Sequence, residues 1–227
     1  MHPVSLSGQL LLAVKKQQKT TELKGSLAEL TLKDIATSLV SDDAKKTFWI
    51  NLYNAFYQIL RLEDGLKPPD IYRQPAISIA GKTFSLDDIE HGILRKYRYK
   101  RAPEQFSEMF DAALIRSLAV EQLDYRIHFA LNCGAESCPP IAFYREDQLE
   151  SQLNLATQSF LEGESTYDEE QKTLHTTALF EWFADDFGGE AGIKTIYQNQ
   201  LGLELKDYDI KYKDYSWDEA LGNFAEE

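Results

Sequence analysis

The sequence is poor in cysteine, in positive charge and in long apolar runs, and each shortage excludes a class of protein. Its two cysteines are too few for a disulfide framework, and they lack the partners of a four-ligand zinc site. Its 24 Lys and Arg residues are outnumbered by 37 Asp and Glu residues, and the net charge of −13 disfavours binding to nucleic acid or to anionic membranes. We therefore expect neither of these partners.

Apolar runs long enough to cross a membrane are missing as well. The longest run near the N-terminus covers residues 10–14, far short of the roughly 20 residues that a spanning helix needs. No basic segment precedes it and no small-residue cleavage site follows it, so no signal peptide is predicted. We expect a reduced, cytoplasmic protein, or an exported one if a signal segment was removed before Met1.

What is present predicts a folded, helix-rich chain. Of the 227 residues, 43% are apolar and 12% are aromatic, which is typical of a globular protein. Apolar spacing and capping patterns predict helices over residues 5–18, 26–39, 42–62, 85–94, 103–121, 147–161, 177–187 and 191–200. Alternation and turn residues predict a hairpin over residues 76–84 and strands over 126–131, 173–176 and 209–215. Polar connectors are predicted over residues 15–25 and 163–171.

These elements predict an α+β fold, a helix-rich single domain with a small, mainly antiparallel sheet. We expect residues 1–41 to form an N-terminal helical segment that packs on the main domain, residues 42–227.

The helix predicted over residues 42–62 carries three amides on one face. Asn51, Asn54 and Gln58 are three and four residues apart. Apolar side chains surround the rest of this helix, so the amides should be buried and bonded to backbone or other polar groups. They either orient a structural loop or line an active site.

A second group of polar residues lies after the predicted hairpin. Ser85 and Asp88 form a Ser-x-x-Asp capping box that begins a helix. Glu90 and His91 lie beside the apolar stripe of this helix, where a histidine is either structural or catalytic. The basic, tyrosine-containing run over residues 95–101 is of a kind that binds phosphates or single strands, but a solvated helix end before Pro103 explains it as well.

The stretch over residues 128–140 concentrates the reactive groups, since it holds His128 and both cysteines. A cysteine nucleophile needs a base to form its thiolate and a third group to orient that base. On a regular strand His128 and Cys133 point to opposite faces, so His128 activates Cys133 only if the chain bends. Gly134 makes such a bend easy, and His91 is the alternative base.

Cys138 is the second candidate nucleophile. It lies in a loop and can fold back over the strand, but Pro139 provides no N–H donor for an oxyanion. We therefore favour Cys133. Other interpretations remain for the pair: two small buried hydrophobes, a disulfide in an exported protein, or a metal site with His128 that needs a fourth ligand.

Three segments together resemble the domain-of-unknown-function 547 family. They are residues 48–55 (Phe-Trp-Ile-Asn-Leu-Tyr-Asn-Ala), residues 85–95 (Ser-Leu-Asp-Asp-Ile-Glu-His-Gly-Ile-Leu-Arg) and residues 128–140. Residues 179–187 and 215–217 are similar to weaker elements of the same family. The resemblance covers about residues 42–217 and implies a bacterial-type domain, often exported, whose role the family name leaves open.

The residues favour a cysteine-dependent hydrolase or acyltransferase that acts on a small-molecule, peptide or amide-like substrate without a cofactor or metal. Its candidate catalytic residues are Cys133, Cys138, His128, His91, Glu90, Asn51 and Asn54. A Cys-His-Asn set occurs in papain-like and transglutaminase-like folds. We therefore also expect a papain-like or transglutaminase-like fold for this chain. The alternative is a non-enzymatic binding module in which the same cluster is structural.

Overall fold

Helix α4 (Asp42–Leu62) is the buried centre of the computed structural model, which describes residues 2–99 and 110–226. The side chain of Ser41 accepts a hydrogen bond from the Ala44 N–H and so caps its first turn. Nearly every side chain from residue 44 to residue 60 is buried, as the sequence predicted. Helix α1 (Pro3–Lys15) packs along α4.

The other helices surround α4 or follow it in the chain. They are α2 (Thr21–Glu29), α3 (Leu32–Ser38), α5 (Asp70–Arg73), a π helix (Asp88–Leu94), α6 (Ala112–Leu118), 3-10 turns (Tyr125–Phe129 and Glu146–Gln148), α7 (Leu149–Glu164), α8 (Leu179–Trp182), α9 (Ala184–Phe187) and α10 (Gly189–Leu201). No helix of the described residues is long and apolar enough to cross a membrane.

The strands form two small sheets. β1 (Ile77–Ile79) and β2 (Lys82–Phe84) pair antiparallel as the predicted hairpin. β3 (Thr166–Asp168) pairs antiparallel with β4 (Thr173–Thr176), and β4 pairs parallel with β5 (Asp209–Tyr212). The α+β class with a small, mainly antiparallel sheet is therefore confirmed. The papain-like or transglutaminase-like fold and the division at residue 41 stay predictions.

The predicted strand over residues 126–131 is wrong. The chain forms a 3-10 turn there, because the Asp124 side chain accepts a hydrogen bond from the Arg126 N–H and starts a helical turn. The apolar residues of this turn are then divided between two cores. Ile127 joins the core around α4, whereas Phe129 joins a second core around α8 to α10.

Other predicted boundaries also differ from the structure. The helix predicted over residues 26–39 is split, because Thr31 and Asp34 form a capping box that starts α3, and Gly25 lies inside α2. The loop predicted over residues 163–171 contains the end of α7 and strand β3. Of the helix predicted over residues 103–121, residues 103–109 lie outside the described residues, and the described part contains α6.

Candidate functional site

A cavity of about 240 Å³ brings together five of the seven candidate residues. It lies beside the stretch over residues 128–140, between the π helix and α8. Its walls include Glu90, His91, His128, Cys133 and Cys138, together with six aromatic side chains. We call this space the cysteine cavity.

The two cysteines form one wall of the cysteine cavity. Their sulfur atoms are joined as a disulfide, and their Cα atoms are 6.2 Å apart, which is an ordinary separation for such a bond. Cys133 is half-buried, whereas Cys138 is 4% exposed. The Cys133 N–H points to Cys138 Sγ at 3.1 Å, and the Tyr215 hydroxyl lies 3.1 Å from Cys138 Sγ and 3.4 Å from Cys133 Sγ.

Asn54 holds the chain that leads into the cysteines. Its Oδ1 accepts the Asn132 N–H and its Nδ2 donates to the Ala130 carbonyl, both at 2.9 Å. Asn132 in turn donates to the Pro139 carbonyl and accepts the Gly134 N–H, which closes the turn around the disulfide.

Asn51 acts in the same way one turn earlier on α4. It accepts the Tyr144 N–H at 3.1 Å and donates to the Tyr144 carbonyl at 2.9 Å. Gln58 accepts the Gly222 N–H at 2.9 Å. The predicted pairing of these buried amides with backbone is therefore confirmed. Asn51 and Asn54 position the segments around the cysteine cavity and do not belong to its lining.

His128 is a buried imidazole with a carboxylate behind it. Its Nε2 lies 2.9 Å from Asp186 Oδ2, and its ring stacks on Phe183 with the centroids 4.1 Å apart. Burial lowers the pKa of His128 below its usual value, although the contact with Asp186 acts in the opposite direction. The neutral ring donates Nε2–H to Asp186, which leaves Nδ1 with the lone pair.

Asp186 is held ionised by two arginines. Arg95 Nε donates to Oδ2 at 2.5 Å and Arg98 Nη1 donates to Oδ1 at 2.7 Å. Burial alone would raise the pKa of Asp186, but the hydrogen bonds from His128 and Arg95 hold it well below its usual range. The carboxylate therefore orients the His128 ring and fixes its tautomer.

His91 and Glu90 also line the cysteine cavity, and they belong to the π helix. The predicted capping box is present, since the Ser85 N–H donates to Asp88 Oδ2 and the Asp88 N–H donates to Ser85 Oγ. Arg95 Nη1 lies 3.0 Å from His91 Nδ1, and because arginine only donates, that nitrogen accepts. Glu90 accepts the Tyr53 hydroxyl at 3.1 Å.

Aromatic side chains from two distant parts of the chain pack together in the lining of the cysteine cavity. The ring centroids of Trp182, Tyr215 and Trp217 are between 4.7 and 5.5 Å apart. Burial raises the pKa of Tyr215 far above its usual value, so its hydroxyl keeps its proton. Trp217 is 61% exposed.

The segment over residues 215–224 runs beside the cysteine loop. The Glu136, Ser137 and Ile141 N–H groups donate to the carbonyls of Asp218, Ser216 and Asn223, in that order. The Ala220 N–H donates back to the Gly134 carbonyl.

The sequence did not identify Asp186, Tyr215, Trp182 and Trp217 as site residues. They lie in segments 179–187 and 215–217, which resemble the weaker family elements, and that resemblance was their one signal. Among residues 2–99 and 110–226, no group of three His, Cys, Asp or Glu side chains has the geometry to hold a metal ion.

Comparison with known proteins gives one match. The family described as "Protein of unknown function, DUF547" matches residues 37–161, which is more than half of the chain. No curated protein and no solved structure matches. The matched range contains both cysteines, both histidines of the cavity and the two asparagines that position the loop.

Proposed function

The chain belongs to the DUF547 family, and from that premise and its cysteine cavity we propose that it is a cysteine-dependent hydrolase or acyltransferase acting on an amide- or peptide-like substrate. The observation that carries the proposal is one cavity lined both by the cysteine pair and by a neutral, carboxylate-oriented histidine. Nucleophile, base and orienting group are the three parts that thiol catalysis needs.

Cys133 is the proposed nucleophile, because it is the more accessible of the two sulfurs. The pair must first be opened by a dithiol, which supplies two electrons and two protons and leaves both cysteines as thiols. His128 Nδ1 then takes the Cys133 proton, with Asp186 holding the ring. The Cys138 thiol stays beside the Cys133 N–H and the Tyr215 hydroxyl.

The bonds then change in a defined order. Cys133 Sγ attacks the carbonyl carbon of the substrate, and the carbon–nitrogen bond breaks as His128 returns the proton to the leaving amine. A water molecule cleaves the resulting thioester to the acid in a hydrolase, or a second amine takes the acyl group in an acyltransferase. Either path regenerates the Cys133 thiol.

The remaining candidate residues have supporting roles in this proposal. His91 accepts from Arg95 at Nδ1, so it is less suited than His128 to take a proton there. Glu90 and His91 line the same cavity as the two sulfurs. Asn51 and Asn54 are positioning residues that act through the backbone of the loop.

Thiol reactivity tests the proposal. The reduced protein is alkylated with iodoacetamide between pH 5 and 10, and the labelled sulfur is located by mass spectrometry. We expect Cys133 to titrate below the pKa of about 8.5 of a free thiol. His128→Asn should move the Cys133 pKa towards 8.5, whereas His2→Asn, at an exposed histidine, should leave it unchanged.

A reporter ester tests the acyl step in the same samples. Reduced protein should release a burst of p-nitrophenol from p-nitrophenyl acetate, and Cys133→Ser should abolish that burst. If both thiols titrate normally and His128→Asn changes neither the pKa nor the burst, the catalytic proposal is wrong.

The second candidate is a non-enzymatic binding module. It is favoured by the disulfide and by the Asn51 and Asn54 amides, which are hydrogen-bonded to backbone groups. In that case the cavity binds its ligand with equal affinity before and after reduction, and Cys133→Ser does not alter binding.

A further inference from the structure

The disulfide between Cys133 and Cys138 lies where a small thiol can reach it. Both cysteines line the cysteine cavity, and Cys133 is half-buried, whereas Cys138 is 4% exposed. A thiol must approach a sulfur atom directly before a disulfide can exchange. A cavity of about 240 Å³ suits a low-molecular-weight thiol and not a folded protein. Exchange should therefore begin at the more accessible sulfur, that of Cys133.

The loop that carries the pair is also held by hydrogen bonds. Asn132 Nδ2 donates to the Pro139 carbonyl at 2.8 Å, and Asn132 Oδ1 accepts the Gly134 N–H at 2.9 Å. The Cys138 N–H donates to the Ala135 carbonyl at 3.0 Å. The two cysteines are five residues apart, and a disulfide that closes so short a loop constrains the unfolded chain little. The pair can therefore open while the loop keeps its shape.

The two sulfur atoms have different surroundings. Cys138 Sγ lies 3.1 Å from the backbone nitrogen of Cys133 and 3.1 Å from the Tyr215 hydroxyl, which is 3.4 Å from Cys133 Sγ. Because burial keeps the proton on Tyr215, this hydroxyl can donate to a thiolate. Hydrogen bonds stabilise a thiolate, and a sulfur whose thiolate is stabilised leaves faster. Cys138 is therefore the better leaving group of the two.

We propose that the Cys133–Cys138 pair is a redox centre that passes two electrons from a low-molecular-weight dithiol to a low-molecular-weight disulfide. This activity is separate from the acyl step of the proposed function. One thiolate of the dithiol attacks Cys133 Sγ, the bond between the two cysteines breaks, and Cys138 leaves as a thiolate that accepts from Tyr215 and then takes a proton.

The remaining steps close the cycle. The second thiol of the substrate loses its proton and attacks the substrate sulfur that is bonded to Cys133, which releases the oxidised substrate and the Cys133 thiolate. Cys133 then attacks the small disulfide and releases one small thiol. Cys138 gives up its proton and attacks Cys133 Sγ, which releases the second small thiol and restores the pair. The two protons of the dithiol end on the two small thiols.

The first experiment locates the sulfur that is attacked. The oxidised full chain is mixed with 2-mercaptoethanol, the reaction is stopped with N-ethylmaleimide, and mass spectrometry locates both groups. We expect mercaptoethanol on Cys133 and maleimide on Cys138 at least about ten-fold more often than the reverse. Equal labelling of the two sulfurs, or mercaptoethanol mainly on Cys138, would overturn the proposal. A pair that opens only after urea has unfolded the chain would also overturn it, because such a pair is structural.

Two tyrosine variants test the leaving group. Tyr215→Phe keeps an aromatic ring beside Trp182 and Trp217 but removes the hydroxyl next to the sulfurs. The pair should then open about three-fold more slowly, or slower still, because the Cys138 thiolate loses a donor. Tyr212→Phe is the matched control, since Tyr212 is exposed and does not line the cavity. Equal opening rates in the two variants would contradict the proposed exchange.

Turnover tests the complete reaction. Dithiothreitol and hydroxyethyl disulfide serve as the dithiol and the disulfide, and the absorbance of oxidised dithiothreitol follows the electron transfer. The natural chain should accelerate this transfer at least about five-fold over Cys133→Ser or Cys138→Ser, which cannot form the pair. The same rate for the natural chain and both variants would overturn the proposal.

The redox centre and the proposed enzyme fail in different ways. A His128-dependent reactive thiol in a chain that shows no turnover would remove the redox centre and leave the proposed enzyme. A pair that opens at Cys133 and turns over, but whose reduced thiols titrate normally, would keep the redox centre and remove the proposed enzyme.

Discussion

His128 is a buried histidine whose protonation opposes folding. Because burial lowers its pKa in the folded protein, the unfolded chain binds the proton more tightly, with a pKa of about 6.5. The neutral ring therefore contributes its full stability above that pH, and the contribution is lost as the pH falls from about 6.5 towards the lower folded pKa. Asp186 follows a separate course: its pKa is lowered in the fold, so its contribution disappears only below about pH 4.

The titration of His128 between pH 5 and pH 7 predicts a stability that depends on pH in this range, and replacing His128 should weaken that dependence. The free energy of unfolding of the natural chain should decrease between pH 7 and pH 5. His128→Gln should be less stable at pH 7, because Asp186 loses a partner, but its stability should decrease less steeply over the same range. Urea melts at each pH measure both slopes, with His2→Asn as the control. Equal slopes for the natural chain and His128→Gln would contradict the prediction.

Gly134 satisfies two requirements of the turn that follows Cys133. Its φ is +72°, and an added Cβ would overlap the ring of Tyr57. Gly65 has a similar φ of +67° but open space where its Cβ would lie. The two glycines therefore separate backbone strain from steric overlap.

Alanine substitution at these two positions should have unequal effects. Gly65→Ala should cost about 1 kcal/mol from the positive φ alone. Gly134→Ala should cost roughly 2 to 4 kcal/mol, because the Tyr57 ring must also move. Denaturant melts of both variants measure the difference. If both variants lose the same free energy of unfolding, the Tyr57 ring moves aside freely and the overlap does not destabilise the fold.

Residues such as Asn51 and Asn54 were predictable because local spacing alone implies a buried amide face. Asp186 was not predictable in this way, since the property that matters is its contact with His128, 58 residues earlier in the chain. A single sequence shows carboxylates at every exposed turn, and nothing local distinguishes the one that lies behind a histidine.

At the scale of elements, the predicted strand over residues 126–131 shows how a periodic pattern can mislead. Its apolar residues alternate as in a strand, but Ile127 and Phe129 enter different cores. A turn that buries apolar side chains on both sides therefore shows the same apolar residues in sequence as a strand with one buried face. Because His128 lies in a 3-10 turn, strand alternation does not place His128 and Cys133 on opposite faces.

The segment over residues 215–224 is an element without regular structure that the sequence did not assign to the site. Its backbone pairs with the cysteine loop through isolated bridges, Ala135 with Glu219 and Ile141 with Phe224. Arg61 on α4 also contacts Glu219. These contacts suggest that the segment orders the loop more than it stabilises the whole fold.

Removing residues 215–226 should therefore have a local effect. The amides of Glu136, Ser137 and Ile141 lose their acceptors, so hydrogen exchange in the loop should become faster by at least about ten-fold. Amides in the middle of α4 serve as the internal control and should keep their protection. A uniform loss of protection over the whole chain would show that the segment belongs to the cooperative core.

At the scale of the whole molecule, the cysteine cavity lies where two hydrophobic cores meet. Leu131 belongs to the core around α4 and Leu179 to the core around α8 to α10, and both line the cavity. Helix positions and the hairpin could be predicted because their patterns are local. The contact between the cores could not, because it depends on how elements separated by many residues pack together.

The pairing between the cysteine loop and the segment over residues 215–224 also bears on the growing chain. Tyr215 lies 77 residues after Cys138. At about 5 to 20 residues per second, a ribosome needs roughly 4 to 15 seconds to add those residues. During that time both sulfurs lack their contact with the Tyr215 hydroxyl, and the cysteine loop lacks its backbone hydrogen bonds to the later segment. The redox conditions that the nascent chain meets can therefore act on the cysteine pair before Tyr215 is synthesised.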